Sequence, residues 1–277
     1  MFVRRAYVPE HLRPGRAGLD RWPFTVPAVA QVAEQGLEFR RPVTFLVGDN
    51  GSGKSTLVEA IAEGFRLDPY GGRASARTGR PDRQKTPLGE VLRLDKTAAG
   101  ARMLGGPRLK KKGFFLRAET AFSMTEQLGG VPGYWAEDTS TMSHGEGFVT
   151  VFRAMMNAPG FYVMDEPESA LSFTTCLHMV SLIHQLGETG AQIVCATHSP
   201  ILASTPGADI VEVGDHGYRR TTWNQLELVD HWRRYLEHPD VYLRHLHLTL
   251  GAGCSRMTRP PQPPTRGSPP RPPATTG

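Results

Sequence analysis

The chain has 277 residues, 39% hydrophobic and 21% charged, the balance of an ordinary globular protein of one or two domains rather than of a fibrous or disordered one. Its three cysteines (Cys176, Cys195 and Cys254) are too few and too scattered for a disulfide framework or a zinc site, and they suit a reducing, cytoplasmic setting. Arg256, Arg259, Arg266 and Arg271 account for most of the net charge of +5, since removing those four leaves +1 and argues against a body built as a general polyanion binder.

Met1-Phe2-Val3-Arg4-Arg5 carries charge but no apolar run follows it, so no secretory signal is expected. No uninterrupted apolar stretch approaches the ~20 residues of a membrane-spanning helix. The first clear element is a β-branched run at 42–47, expected as a buried strand. A glycine-rich turn follows, and then Leu57, Ala60, Ile61 and Phe65 recur at helical spacing. The stretch 69–157 is richer in Gly, Arg and Lys and is expected as an inserted, partly helical lobe. Its basic run, Arg108 with Lys110, Lys111 and Lys112, is either a solvated loop face or a local nucleic-acid contact.

A second buried strand is expected at 161–164, then a helix over 172–186 that stops at Gly187. Phe173, Leu177, Val180 and Ile183 or His184 form the expected apolar stripe of that helix. Strands at 192–196 and 210–213 come next, then helices at 223–236 and 240–250. Strands alternating with helices predict an α/β fold with a mainly parallel central sheet. The last segment, 252–277, holds four Pro-Pro pairs and is expected to be a disordered tail, with a polyproline ligand as the other reading. The folded domain is therefore placed at 1–251.

Gly48-Asp49-Asn50-Gly51-Ser52-Gly53-Lys54-Ser55 fits G-x-x-x-x-G-K-[ST] in full, after a strand and before a helix. Glycines let the backbone wrap tightly, so N–H groups and the helix N-terminus face phosphate oxygens. Lys54 is expected to reach the β- and γ-phosphates, Ser55 to ligate Mg²⁺, and Thr56 to complete the nucleotide-binding run. Phe161-Tyr162-Val163-Met164-Asp165-Glu166 is an apolar strand ending in two carboxyl groups. Asp165 is expected to serve the Mg²⁺ shell, and Glu166 to polarise the water that attacks the γ-phosphate.

The order of motifs is more specific than any one of them. Ser143-His144-Gly145-Glu146-Gly147 precedes Asp165-Glu166-Pro167-Glu168-Ser169-Ala170-Leu171-Ser172, and Ala196-Thr197-His198-Ser199-Pro200 follows. From 43 to 213 this resembles the ABC ATPase domain, a P-loop NTPase fold: Walker A, signature, Walker B with its glutamate, D-loop, and a switch histidine. The Ser-His-Gly-Glu signature, where transporter subunits usually have Ser-Gly-Gly-Gln, looks more like the small AAA-21-type ATPases related to RecF and SMC heads. The resemblance implies ATP and Mg²⁺ as ligands and a head-to-tail dimer with two ATP molecules between the subunits. Ser143 and Gly145 would then contact the γ-phosphate across that interface, and His198 would sense it beside Glu166.

Two features depart from the pattern. No Q-loop glutamine is evident, and Glu119 stands nearest, either as its replacement near Mg²⁺ or as a surface charge. The D-loop ends in Ser172 where transporters usually carry aspartate. Phe24 or Phe39 is expected either to stack on adenine or to sit in the core. The leading expectation is a stand-alone ATPase acting on an unidentified macromolecule, with DNA maintenance or defence in view and nucleic acid as one partner class. The alternatives are an ABC transporter subunit and a non-hydrolysing nucleotide switch. No guanine-reading Asn-Lys-x-Asp motif supports a GTPase.

Overall fold

The computed structural model describes residues 1–67, 72–73, 85–105, 113–117, 152–153, 156 and 158–249. Its first half runs β1 (Val3–Tyr7), α1 (Arg16–Leu19), α2 (Pro27–Gln35), β2 (Leu37–Glu38), β3 (Val43–Val47), α3 (Lys54–Gly64), β4 (Gly72–Arg73), α4 (Pro87–Val91), β5 (Arg93–Lys96), α5 (Ala98–Gly105) and β6 (Gly113–Arg117). Then follow β7 (Phe161–Asp165), α6 (Phe173–Glu188), β8 (Gln192–Thr197), α7 (Pro200–Ala203), β9 (Asp209–Gly214), β10 (Gly217–Thr221), α8 (Glu227–Glu237) and α9 (Pro239–Thr249).

Among the described residues, seven strands form the central sheet in the order β10-β9-β3-β8-β7-β6-β4. The five from β9 to β6 are parallel, and β10 and β4 close the edges as antiparallel strands. This is an α/β fold with a mainly parallel sheet, and β3 feeds through the glycine-rich turn straight into α3, the P-loop NTPase arrangement. A second, antiparallel sheet has the order β2-β1-β5. The stretch 69–157 supplies β5 to this small sheet and β6 to the central one.

Successive strand residues point to opposite faces, and both faces of the central sheet are covered. On one side Leu46, Val163, Val194 and Val211 pack with Leu57 and Ile61 of α3, Val29 and Val32 of α2, and the small sheet. On the other side Phe45, Val47, Met164, Ile193 and Cys195 pack with Cys176, Met179, Ile183 and Leu186 of α6. Coverage on both faces explains why β3, β7 and β8 read as continuous apolar runs instead of alternating ones.

Helix α6 differs from expectation in two respects. It continues through Gly187 to Glu188. Gly187 lies against β3 so closely that a Cβ there would sit 2.9 Å from Val43 Cγ2, so its glycine serves close packing and not a stop. The buried face is Cys176, Met179, Ile183 and Leu186, a second stripe of helical spacing, while Phe173 and Leu177 are 67% and 46% exposed. Ser172 caps the helix by accepting from the Thr175 N–H at 3.2 Å.

Among the described residues, 230–249 form a separate compact unit that holds α9 and most of α8. Within it, Tyr235 and Tyr242 meet edge to face at 5.8 Å, and the His231 ring nitrogen Nδ1 lies 3.2 Å from the Tyr242 hydroxyl. No helix among the described residues is long and apolar enough to cross a membrane.

A buried side chain ties the small sheet to the large one. Gln192, only 1% exposed at the start of β8, accepts from the N–H groups of Phe2 (2.6 Å) and Val3 (2.8 Å) and donates to the Val3 carbonyl at 2.8 Å. Replacing Gln192 by Leu strands these buried backbone groups, so a loss of about 3 kcal/mol in urea unfolding is expected. A loss below about 1 kcal/mol would show that this link is dispensable.

Candidate functional site

Register brings the site together. Val47 pairs with Thr197, Ala196 with Asp165, and Asp165 with Arg117, so β3, β8, β7 and β6 end at one level. The turn 48–53, Glu166 and His198 all follow those ends directly. Ligands of parallel α/β sheets bind at this carboxyl edge.

The turn after β3 depends on its glycines. Gly51 and Gly53 have φ of 81° and 99°, the left-handed region open to glycine. A Cβ on Gly48 would sit 2.0 Å from the Val213 carbonyl oxygen, and one on Gly53 would sit 2.8 Å from Val26 Cγ1. Lys54, with 2% of its side chain exposed, donates to the Asp49 carbonyl at 2.9 Å, which folds it back over the turn. Asn50 is exposed, and Ser55 and Thr56 lie in the first turn of α3, whose N-terminus has no side-chain cap. Free N–H groups, a lysine and the buried hydroxyl of Ser52, unpartnered among the described residues, suit an anionic phosphate.

Asp165 and Glu166 are neighbours that face different partners. Asp165 ends β7 and its Oδ1 accepts from the Ser55 hydroxyl at 2.9 Å. Glu166 takes φ 47° and ψ 52°, a left-handed conformation that costs a non-glycine residue about 1–2 kcal/mol. Its N–H still bonds the Ala196 carbonyl at 2.9 Å, so the turn stays fixed to β8. The kink carries Glu166 Oε1 to 3.7 Å from Lys54 Nζ and 3.5 Å from His198 Nδ1. Burial pushes the Asp165 carboxyl above the usual carboxylate range, while the Ser55 hydrogen bond and Arg117 pull it down.

Oxygen donors from Ser55 and Asp165 match the hard-ligand preference of Mg²⁺. Among the described residues no group of three or more His, Cys, Asp or Glu could hold a metal. An ion at Ser55 and Asp165 would therefore share its shell with phosphate oxygens and water, as Mg²⁺ ordinarily does.

Two groups stand in the site that the motif reading passes over. Arg117 ends β6, pairs with Glu59 of α3, and places Nε 3.9 Å from Asp165 Oδ2. Glu168, with 6% of its side chain exposed, accepts from the Thr197 hydroxyl at 2.5 Å and from the His198 N–H at 2.8 Å. The sequence signal for Glu168 was a third carboxyl group two residues after Glu166; for Arg117 it was a cation ending an apolar run.

Of the remaining expected residues, Ser143, Gly145 and Glu119 lie outside the described residues, as do the basic run at 108–112 and the tail. Phe24 and Phe39 are 9% and 3% exposed in the core beside α2, which removes both from base stacking. Cys176 and Cys195 are buried free thiols, and burial pushes both up, away from a reactive thiolate.

A family described as AAA domain matches residues 28–65, from α2 through the glycine-rich turn and α3. The chain is 26% identical over 191 residues to the macrolide export ATP-binding/permease protein MacB of Aggregatibacter actinomycetemcomitans, covering 61% of this chain and 28% of that one. It is 30% identical over 162 residues to the taurine import ATP-binding protein TauB of Pelagibacter ubique, covering 56% of this chain and 59% of that one. Among solved structures, cbiO1 from Clostridium perfringens, part of the ABC transporter complex cbiONQ, aligns with a TM-score of 0.42 and 16% identity over 78% of this chain and 90% of its own. The sequence likenesses support an ABC-type ATPase domain. The chain spans just over a quarter of the length of the MacB relatives.

The left-handed turn gives a direct test. Gly53→Ala forces a Cβ into a φ of 99° against Val26 and is expected to cost about 1–2 kcal/mol in denaturant unfolding. Gly15→Ala, with φ −63° and nothing within 4 Å of its Cβ, is the control and should cost under about 0.5 kcal/mol. Equal losses would contradict the assigned strain.

Proposed function

We propose that this chain is an ATP-binding, ATP-hydrolysing unit of the ABC type that powers a transporter-like partner through an ATP-sandwiched dimer. The observation that carries the reading is the placement of Glu166, kinked away from Asp165 and set between Lys54 and His198 beside the Ser55–Asp165 pair. A dead phosphate cradle would need neither the kink nor the histidine.

In this reading the N–H groups of 48–56 and Lys54 hold the phosphates of ATP. Ser55 and Asp165 would hold Mg²⁺, which would supply positive charge against the phosphates. Glu166 takes a proton from water as the water oxygen bonds to the γ-phosphorus. The bond from that phosphorus to the bridging oxygen breaks, the oxygen keeps the electron pair, and ADP and phosphate leave. His198 faces the γ-phosphate side of Glu166. Ser143 and Gly145 would complete the partner copy's site, and Glu119 would lie near the metal or the water. The domain would comprise 1–251, with 252–277 outside it, and the unit would work on the cytoplasmic side.

The likenesses favour the transporter reading over DNA maintenance or defence, since the sequence relatives named above are a macrolide export ATP-binding/permease protein and a taurine import ATP-binding protein. Nucleic acid therefore drops out as the preferred partner class. A membrane protein takes its place, its cargo being a separate question.

Glu166→Gln is expected to lower turnover at least ~100-fold while leaving ATP bound. In sedimentation it should form a dimer only with Mg·ATP, whereas a protein that binds ATP and stays monomeric would overturn the sandwich. Lys54→Ala should weaken ATP binding about 100-fold by calorimetry, the equivalent of about 3 kcal/mol for a lost charge-assisted contact. Unchanged affinity would remove Lys54 from the phosphate site.

A further inference from the structure

Glu168 has no role in the steps above, yet it is among the most constrained polar groups near them. It lies in the one-turn segment Pro167–Ala170 that follows Glu166, and its side chain is 6% exposed. One oxygen, Oε1, accepts both the Thr197 hydroxyl at 2.5 Å and the His198 N–H at 2.8 Å. Thr197, itself fully buried, passes the link on, because its Oγ1 accepts from the Ser199 N–H at 3.0 Å. The other oxygen, Oε2, is buried with no hydrogen-bond partner among the described residues. A half-satisfied buried carboxyl group is costly, yet an apolar side chain in its place would leave the Thr197 hydroxyl and the His198 N–H without this acceptor.

We infer that Glu168 is a positioning residue that fastens the loop 197–199 to the segment carrying Glu166 and so sets where His198 stands. Without that fastening the His198 backbone N–H loses the acceptor that holds it. His198 Nδ1 lies 3.5 Å from Glu166 Oε1 and 3.6 Å from Glu168 Oε1, so the ring stands between the two groups. Thr197 ends β8 and precedes His198 directly, so its hydroxyl contact with Glu168 helps to hold the residue that carries the ring. Glu168 touches neither phosphate nor water in this scheme. It acts through His198, and this inference rests on the ATPase reading given above for its kinetic consequence alone.

The test compares Glu168→Ala with Glu168→Gln in the full chain, reading ATP turnover, ATP affinity and amide hydrogen exchange at His198. Glu168→Ala should lower kcat about 10- to 100-fold, the range seen when a supporting side chain is lost, with KM and ATP affinity within about threefold. Exchange at the His198 amide should speed up at least ~10-fold. Glu168→Gln keeps an oxygen that accepts from Thr197 and His198, and should restore slow exchange and most of kcat. Unchanged exchange in the alanine variant overturns the inference, as does unchanged kcat beside fast exchange, or a glutamine variant as impaired as alanine. A wild-type chain that binds ATP without hydrolysing it would sink the ATPase reading instead, and the exchange measurement alone then decides whether Glu168 holds the loop.

Discussion

Four neighbouring parallel strands that end at one level are the constraint on which the site depends. A parallel ladder fixes register along its whole length, so the pairs Val47–Thr197, Ala196–Asp165 and Asp165–Arg117 hold together or slip together. A slip of one residue in β7 would turn Val163 and Met164 to the wrong faces of a sheet buried on both sides. Burial of those strands thus protects the chemistry at their ends, although no core side chain takes part in it. The glycine-rich turn, the kinked glutamate and the histidine loop are all short continuations of strands whose ends are already aligned.

Electrostatics then separates two adjacent carboxyl groups into two tasks. Asp165 stays on the strand, faces Ser55 and Arg117, and is held by burial nearer to its neutral form than an exposed carboxylate. Glu166 leaves the strand direction through a left-handed residue and meets Lys54 and His198. Backbone strain of this kind persists only where the surroundings over-determine it. Here the bonds from the Glu166 N–H to Ala196 and from the Ser169 hydroxyl to the Glu166 carbonyl (2.9 Å each) fasten the kink on both sides.

Much of this was legible in the sequence because local signals and buried strands coincide. The run before Gly48 and the run before Asp165 are largely apolar, and each leads directly into residues of the candidate site. The small sheet was not legible: β1 is a five-residue Val-Arg-Arg-Ala-Tyr segment whose pairing with β5 spans about 90 residues of chain. The first half of the buried face of α6 was misread, Phe173 and Leu177 for Cys176 and Met179, because two stripes of helical spacing compete there and share Ile183, and only the sheet beneath decides between them. Glu168 was passed over because nothing in its immediate sequence announces that Thr197 and His198, about 30 residues on, will need an acceptor. Long-range satisfaction of buried polar groups is the part of a site that spacing cannot carry.

The most direct test of the account is phosphate release by the wild-type chain in Mg·ATP, with ATP binding measured on the same preparation. The account predicts saturable release of phosphate and ADP in equal amounts, dependent on Mg²⁺ and on Lys54. A folded chain that binds Mg·ATP and releases no phosphate, alone or as a dimer, would contradict the assignment of Glu166 and leave the aligned strand ends as a nucleotide-binding site without hydrolysis.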